Sequence, residues 1–225
     1  MCDMKYFVNL IKDFCKKGFD TMPILIRVYF PVFLLLLLLE LIHRKFDIEV
    51  GDFTRDPAQV LDGKFYVGII SNVGLLFWMA TLSITIFTAV ILMKNQKIDK
   101  RQYRFLFYSS LLTFFLLTDD LLLLHDHVFP VLLGLPEMLI YALYITFIIS
   151  FAVYFYKTLL ASNFFLFVLA GFFMGLSIGI DIIGDFIIVP AHFLFEDGFK
   201  FCGIIAWFLY FSGYSYNSIS VLFKE

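Results

Sequence analysis

Two short stretches of this sequence combine carboxylates with imidazoles at spacings that suit a metal ion or a proton relay. The first is Asp119-Asp120, followed by His125-Asp126-His127. The second is Asp181, Asp185, His192 and Glu196, with Lys200 one turn further on. Imidazole nitrogen with carboxylate oxygen is a ligand set for zinc, iron or manganese, and a catalytic site leaves one position for water. A cation would also let several acids share one place, because unpaired carboxylates at close range raise one another's pKa. Water activated there could hydrolyse the ester or amide of a lipid-like substrate. The expected metal ligands are His125, His127, His192, Asp120 and Asp185, with a divalent metal, zinc first, as cofactor. Asp119, Asp120, Asp181, Asp185 and Lys200 form the expected catalytic set, as bases or as pairing partners.

Helical geometry decides which of these groups meet. On one continuous helix Asp119, Asp120, Asp126 and His127 share an arc of about 120°, and His125 points elsewhere. Ser109 and Thr113 carry that stripe inward as a polar seam. Asp181 and Asp185 are four residues apart and therefore co-facial, as are His192 and Glu196 beyond the break at Pro190. The two stretches read alike, each with paired acids, a histidine, a proline and an acid opening the next helix.

The same residues admit two other functions. Acid–histidine chains act as proton relays and cation sites in transporters and channels. Asn72, Ser109 and Thr113 could extend such a path, but the opposite halves of these helices offer few ionisable groups. A non-catalytic membrane subunit is the third reading. In it, acids at helix starts such as Glu137, Glu196 and Asp197 answer the helix dipole. Lys200 would then neutralise Asp181 or Asp185 without any reaction.

The elements that must position these groups are membrane-spanning. Apolar residues make up 61% of the 225, against roughly 45–50% in a soluble domain. Six segments reach the roughly 20 apolar residues that cross a bilayer: 22–42, 65–93, 105–124, 137–156, 164–188 and 199–223. Val128–Leu135 is too short to span and is expected at the interface. Lys and Arg concentrate in the N-terminal segment, in 94–104 and at Lys157, which places both termini in the cytoplasm. All four histidines and most of the 19 acidic residues then fall on the outer side.

The expected fold is therefore all-α: a polytopic integral membrane six-helix bundle over 21–225, preceded by an amphipathic interfacial helix over 1–20. In that first helix Phe7, Ile11 and Phe14 face one way and Lys5, Lys12 and Lys16 another, which suits anionic headgroups. Gly171, Gly175 and Gly179, at four-residue spacing, predict a close helix–helix approach, and Pro31 predicts a kink. Membrane lipids are the expected partners, with a lipid-like substrate or a cation as ligand, and homo-oligomers are compatible with such helices. The split basic residues argue against nucleic-acid binding. Cys2, Cys15 and Cys202 form no CxxC and no disulfide framework.

P-loop and HExxH motifs are absent from the sequence. In kind, the residue set is similar to that of intramembrane zinc hydrolases such as alkaline ceramidases and adiponectin receptors. Those combine three histidines with an Asp and a Ser in seven spans. Here His192 is followed by Glu196 rather than a second histidine, and the sixth span has none, so the likeness is one of chemistry only.

Overall fold

The computed structural model describes residues 29–31, 33–49, 57–64, 66–95, 99–184 and 192–223, with a few isolated positions before residue 57. The interfacial helix expected over residues 1–20 lies outside these, apart from Lys12, and so do Asp185 and Pro190. Among the described residues every regular element is helical and none is a strand. The chain forms two compact units, Met1–Val67 and Gly68–Glu225.

In the first unit, residues 33–46 form helix α1 and Pro57–Val60 the single turn α2. Leu34, Leu35, Leu36 and Leu37 are all more than half exposed. Consecutive positions point in different directions around a helix, so α1 is apolar around its circumference, as a lipid-facing helix is. Its polar end is internally satisfied. Arg44 Nε lies 2.8 Å from Glu40 Oε1 one turn back, and the His43 ring donates from Nδ1 to the Ile48 carbonyl at 2.7 Å.

The second unit contains α3 (Ile69–Lys94), α4 (Lys100–Leu122), a π-helix (Leu124–Leu132), α5 (Glu137–Tyr154), the short α6 (Tyr156–Leu160), α7 (Phe164–Gly184) and α8 (His192–Ser220). Three of these, α3, α4 and α7, are long and apolar enough to cross a membrane. That is half the number expected. Helix α5 is apolar only over Met138–Tyr154. Helix α8 has 29 residues but carries Glu196, Asp197 and Lys200 in its first turns and hydroxyl and amide side chains in its last. The first apolar segment is only partly described.

Helix α8 packs against α3 and α7, and α3 against α4. Trp207 of α8 is buried and sits edge-on to Trp78 of α3, with ring centroids 6.0 Å apart. Its indole nitrogen donates to Thr113 Oγ1 of α4 at 3.0 Å. Phe105, Phe155 and Phe211 complete an aromatic core. Bulky rings in fixed contact hold the helices at defined separations, because a packed interior does not deform continuously.

Polar residues inside this core are mostly satisfied within their own helices. Thr85 Oγ1 donates to the Thr81 carbonyl at 2.8 Å, and Ser109 Oγ to that of Phe105 at 2.7 Å. The expected polar seam of Ser109 and Thr113 is therefore real, but its hydroxyls are committed to the backbone and to Trp207. The glycine expectation needs correction. A Cβ added at Gly171, Gly175 or Gly179 would meet nothing within 4 Å. The close approach occurs at Gly203, where a Cβ would stand 2.7 Å from Met174 Cγ and 3.2 Å from the Ala170 carbonyl.

Candidate metal centre and its polar network

Helix α4 stops just past its two aspartates. Leu123 takes up φ 50° and ψ 46°, a left-handed conformation that costs a leucine roughly 1–2 kcal/mol. The turn ends α4 and starts the π-helix. His125 is thereby brought back over Asp119, whereas on a straight helix residues six apart point in different directions. Asp119 Oδ1 accepts the His125 backbone N–H at 3.0 Å, and Oδ2 lies 2.5 Å from His125 Nδ1. Tyr144 Oη of α5 adds a third bond to Oδ1 at 2.6 Å. Asp119 is 4% exposed, so these donors stand in for the water it has lost.

The neighbouring aspartate is held differently. Asp120 Oδ2 accepts from Trp78 Nε1 at 2.7 Å, and Oδ1 pairs with Lys200 Nζ at 2.7 Å. Lys200 thus meets Asp120, where the sequence suggested a pairing with Asp181 or Asp185. Three helices, α3, α4 and α8, are tied together by this one carboxylate.

A second carboxylate-rich group lies where α7 ends and α8 begins. Asp181, His192 and Glu196 each offer one ligand atom, all within 4.8 Å of one another, and can hold a metal ion. His192 is poised for it. Its Nε2 lies 3.1 Å from the Ile180 carbonyl, and since a carbonyl only accepts, the proton sits on Nε2. Nδ1 therefore faces Glu196 Oε2, 3.6 Å away. That separation is too long for a hydrogen bond. It is close to the roughly 3.3–3.5 Å between two ligand atoms on one tetrahedral zinc. A metal-bound histidine characteristically donates its other N–H to a backbone carbonyl. Glu196 precedes the apolar part of α8, and its pKa is raised by burial first, then by Asp181 and Asp197. His192 and Lys200 oppose that rise without cancelling it.

Tyr141 of α5 links the two groups. Its hydroxyl donates to Asp181 Oδ2 at 2.8 Å, and its ring stands 5.5 Å from that of His125. The tyrosines at 141 and 144 face the same way, three residues apart on one helix. They and Trp78 were not expected from the sequence, because an aromatic residue in an apolar run reads as packing. Of the remaining expected ligands, His127 is exposed and outside the three-residue group. His125 and Asp120 are engaged as described, and Asp185 lies outside the described residues.

The model of the family described as "Domain of unknown function (DUF8692)" matches residues 29–213. The chain belongs to this family. The DUF8692 match runs from within the first apolar segment into the last third of α8, and includes every residue of the network above. No curated protein and no solved structure matches the chain.

Proposed function

We infer that this chain is a multi-pass membrane metalloenzyme, a hydrolase of lipid-like substrates, with its metal held by Asp181, His192 and Glu196. The observation that carries this reading is the His192 ring. Its proton is committed to the Ile180 carbonyl, so the Nδ1 lone pair is directed at the Glu196 carboxylate 3.6 Å away, an arrangement that a cation between them would complete. One imidazole with two carboxylates and an open position suits zinc, with manganese next. A divalent ion held there would supply a Lewis acid for an ester or amide carbonyl. His125, oriented by Asp119 as the base of a carboxylate–imidazole pair is, is assigned the proton transfer. Lys200 and Trp78 fix Asp120, and Tyr141 orients Asp181.

The membrane reading comprises six spans with both termini cytoplasmic. Three apolar helices and the lysine and arginine asymmetry support it. Conduction is less well supported than hydrolysis. The seam hydroxyls of α3 and α4 bond to their own helices, and α4 carries no charged side chain between Arg104 and Asp119.

The test is elemental analysis of the purified full chain, prepared without chelator. Near-stoichiometric zinc or manganese is expected, lost in both His192→Ala and Glu196→Gln. Hydrolysis of a fluorogenic lipid amide or ester should disappear with it, whereas His125→Gln should lose hydrolysis and keep the metal. A folded protein that neither carries nor takes up either ion would refute the assignment.

A further inference from the structure

A separate recess lies at the opposite end of the second unit. Asp99 and Asp119 are twenty positions apart on one helix, roughly 30 Å at about 1.5 Å per residue, close to the hydrocarbon thickness of a bilayer. At the Asp99 end, α4, α6 and α8 enclose a cavity of about 500 Å³. A second, of about 310 Å³, adjoins it and shares Asp99 and Arg101.

Four cations line the pair: Arg101 and Lys157 in the larger cavity, Lys100 and Arg104 in the smaller. Among the described lining residues Asp99 is the single carboxylate, and it is already engaged, accepting the Arg101 backbone N–H at 2.9 Å as the helix cap. Among the described residues no ion pair involves any of the four. Arg101 is held in place by one bond from Nη2 to the Tyr154 carbonyl at 3.2 Å, which leaves further guanidinium donors for a ligand. The rest of the larger cavity is divided by chemistry. Gln102, Asn163 and Asn217 offer amides, the Ser162 hydroxyl being engaged by the Leu159 carbonyl and Tyr210, while Leu166 and Leu209 form an apolar side. Leu209 is 49% exposed on the outside of α8.

We propose that this double recess binds a phosphorylated polyol, the headgroup chemistry of an inositol phospholipid or of a soluble sugar phosphate. An excess of cations calls for a ligand of more than one negative charge, and a phosphate monoester carries about −1.5 to −2 near neutral pH. Arginine's planar fork matches phosphate oxygens. The amides suit the ring hydroxyls of a polyol, for which a cavity of this size has room beyond the phosphate itself. The apolar side, open toward the flank of α8, gives an acyl-bearing glycerol an exit. Basic recesses between helices on the lysine- and arginine-rich side of a membrane protein are where such headgroups bind. The site does not depend on the metal centre and stands or falls separately.

Binding to the full chain in detergent would be measured with three probes: dioctanoyl phosphatidylinositol 4-phosphate, free inositol 1,4-bisphosphate, and dioctanoyl phosphatidylcholine as neutral lipid. The phosphoinositide should bind and phosphatidylcholine should not. Equal affinity for the free bisphosphate would identify a soluble polyol phosphate as the ligand, and lipid-only binding an inositol lipid. Arg101→Gln with Lys157→Gln should weaken binding roughly thirtyfold, on the scale of two surface cations. Lys157→Gln alone, at an exposed residue, should account for about fivefold. Lys94→Gln removes a charge from the same end outside the recess and should change little. The proposal is overturned if neither phosphorylated probe binds, if the double variant binds as tightly as the native chain, or if Lys94→Gln weakens binding as much.

Discussion

Gly184, the last residue of α7, lies directly beneath the His192 ring: a Cβ added there would stand 2.0 Å from Nε2 and 2.5 Å from Cδ2. The ring occupies the space a side chain would fill. Only glycine lets the imidazole reach the Ile180 carbonyl while Nδ1 faces Glu196.

Gly184→Ala should therefore separate stability from metal binding. Away from a contact, glycine to alanine in a helix is worth up to about 1 kcal/mol in favour of alanine, so the variant should fold. Displacing the ring breaks the bond that fixes its tautomer, a change on the order of 10–100-fold in metal affinity. Competition with a chromogenic chelator reads the affinity, and thermal unfolding in detergent reads the fold. A variant that retains native affinity would show that the ring does not serve as a ligand from this position.

Asp119 should matter for stability more than any other acid of the network. It accepts three hydrogen bonds while 4% exposed. Asp119→Asn replaces one accepting oxygen by a donor that faces donors, at a cost of about 2–4 kcal/mol. Tyr144→Phe removes one bond and should cost about 1 kcal/mol. Denaturant titration of the detergent-solubilised chain checks the order of the two. Equal and negligible effects would mean that Asp119 is solvated.

The Asp120–Lys200 pair calls for a double-mutant cycle. Lys200→Met strands a carboxylate whose side chain is 11% exposed, while the lysine side chain is 36% exposed. Its loss should cost about 2 kcal/mol, below the roughly 3–5 kcal/mol of a fully buried pair. Trp78 still donates to Asp120 in that variant. Asp120→Asn with Lys200→Met should cost less than the sum of the singles by about 1 kcal/mol. Strict additivity would show that the two groups do not stabilise each other.

Much of this arrangement was legible in the sequence, and the part that was not has an identifiable cause. The acids and histidines stand out because ionisable groups in apolar runs are expensive. Composition likewise points to helices. What could not be read is the left-handed turn at Leu123. Leucine gives no sign of it, and without it Asp119 and His125 face different ways. Periodicity on a straight helix therefore grouped His127 with the aspartates and set His125 apart, the reverse of the contacts formed. Glu196 was read as a helix-start acid, yet it shares a candidate ion with His192 because the first turns of α8 lie beside Asp181 of α7, a proximity that spacing along the sequence does not carry. Lys200 was read as a partner of Asp181 or Asp185, and it reaches Asp120 because α8 packs against α3 as well as α7.

Orientation is open to direct test. In a variant lacking Cys2, Cys15 and Cys202, single cysteines would be placed at exposed positions at opposite ends of the bundle. Leu133 follows the π-helix at the network end, and Phe164 begins α7 at the recess end. An impermeant maleimide applied to intact cells should label the first, and label the second only after permeabilisation. The reverse pattern would invert the proposed topology, and labelling of both would remove the membrane between them.

Gly203 and the α7 glycines provide the sharpest contrast between pattern and packing. The four-residue spacing of Gly171, Gly175 and Gly179 resembles a helix-packing motif, yet a Cβ on any of them meets nothing within 4 Å. Within the chain, alanine at each should be neutral or stabilising by up to about 1 kcal/mol. Gly203 stands alone in its part of α8, with no motif to mark it, and a Cβ there presses on Met174 and on the α7 backbone at Ala170. Methionine can yield, but a backbone carbonyl at 3.2 Å cannot move without shifting α7. Gly203→Ala should cost about 1–3 kcal/mol, the range for overpacking a well-filled interior. Because α7 and α8 carry Asp181, His192 and Glu196, the same shift should also weaken the metal site. Unfolding midpoints for the four alanine variants, measured with metal titrations, decide the matter: Gly203→Ala must be the outlier in both.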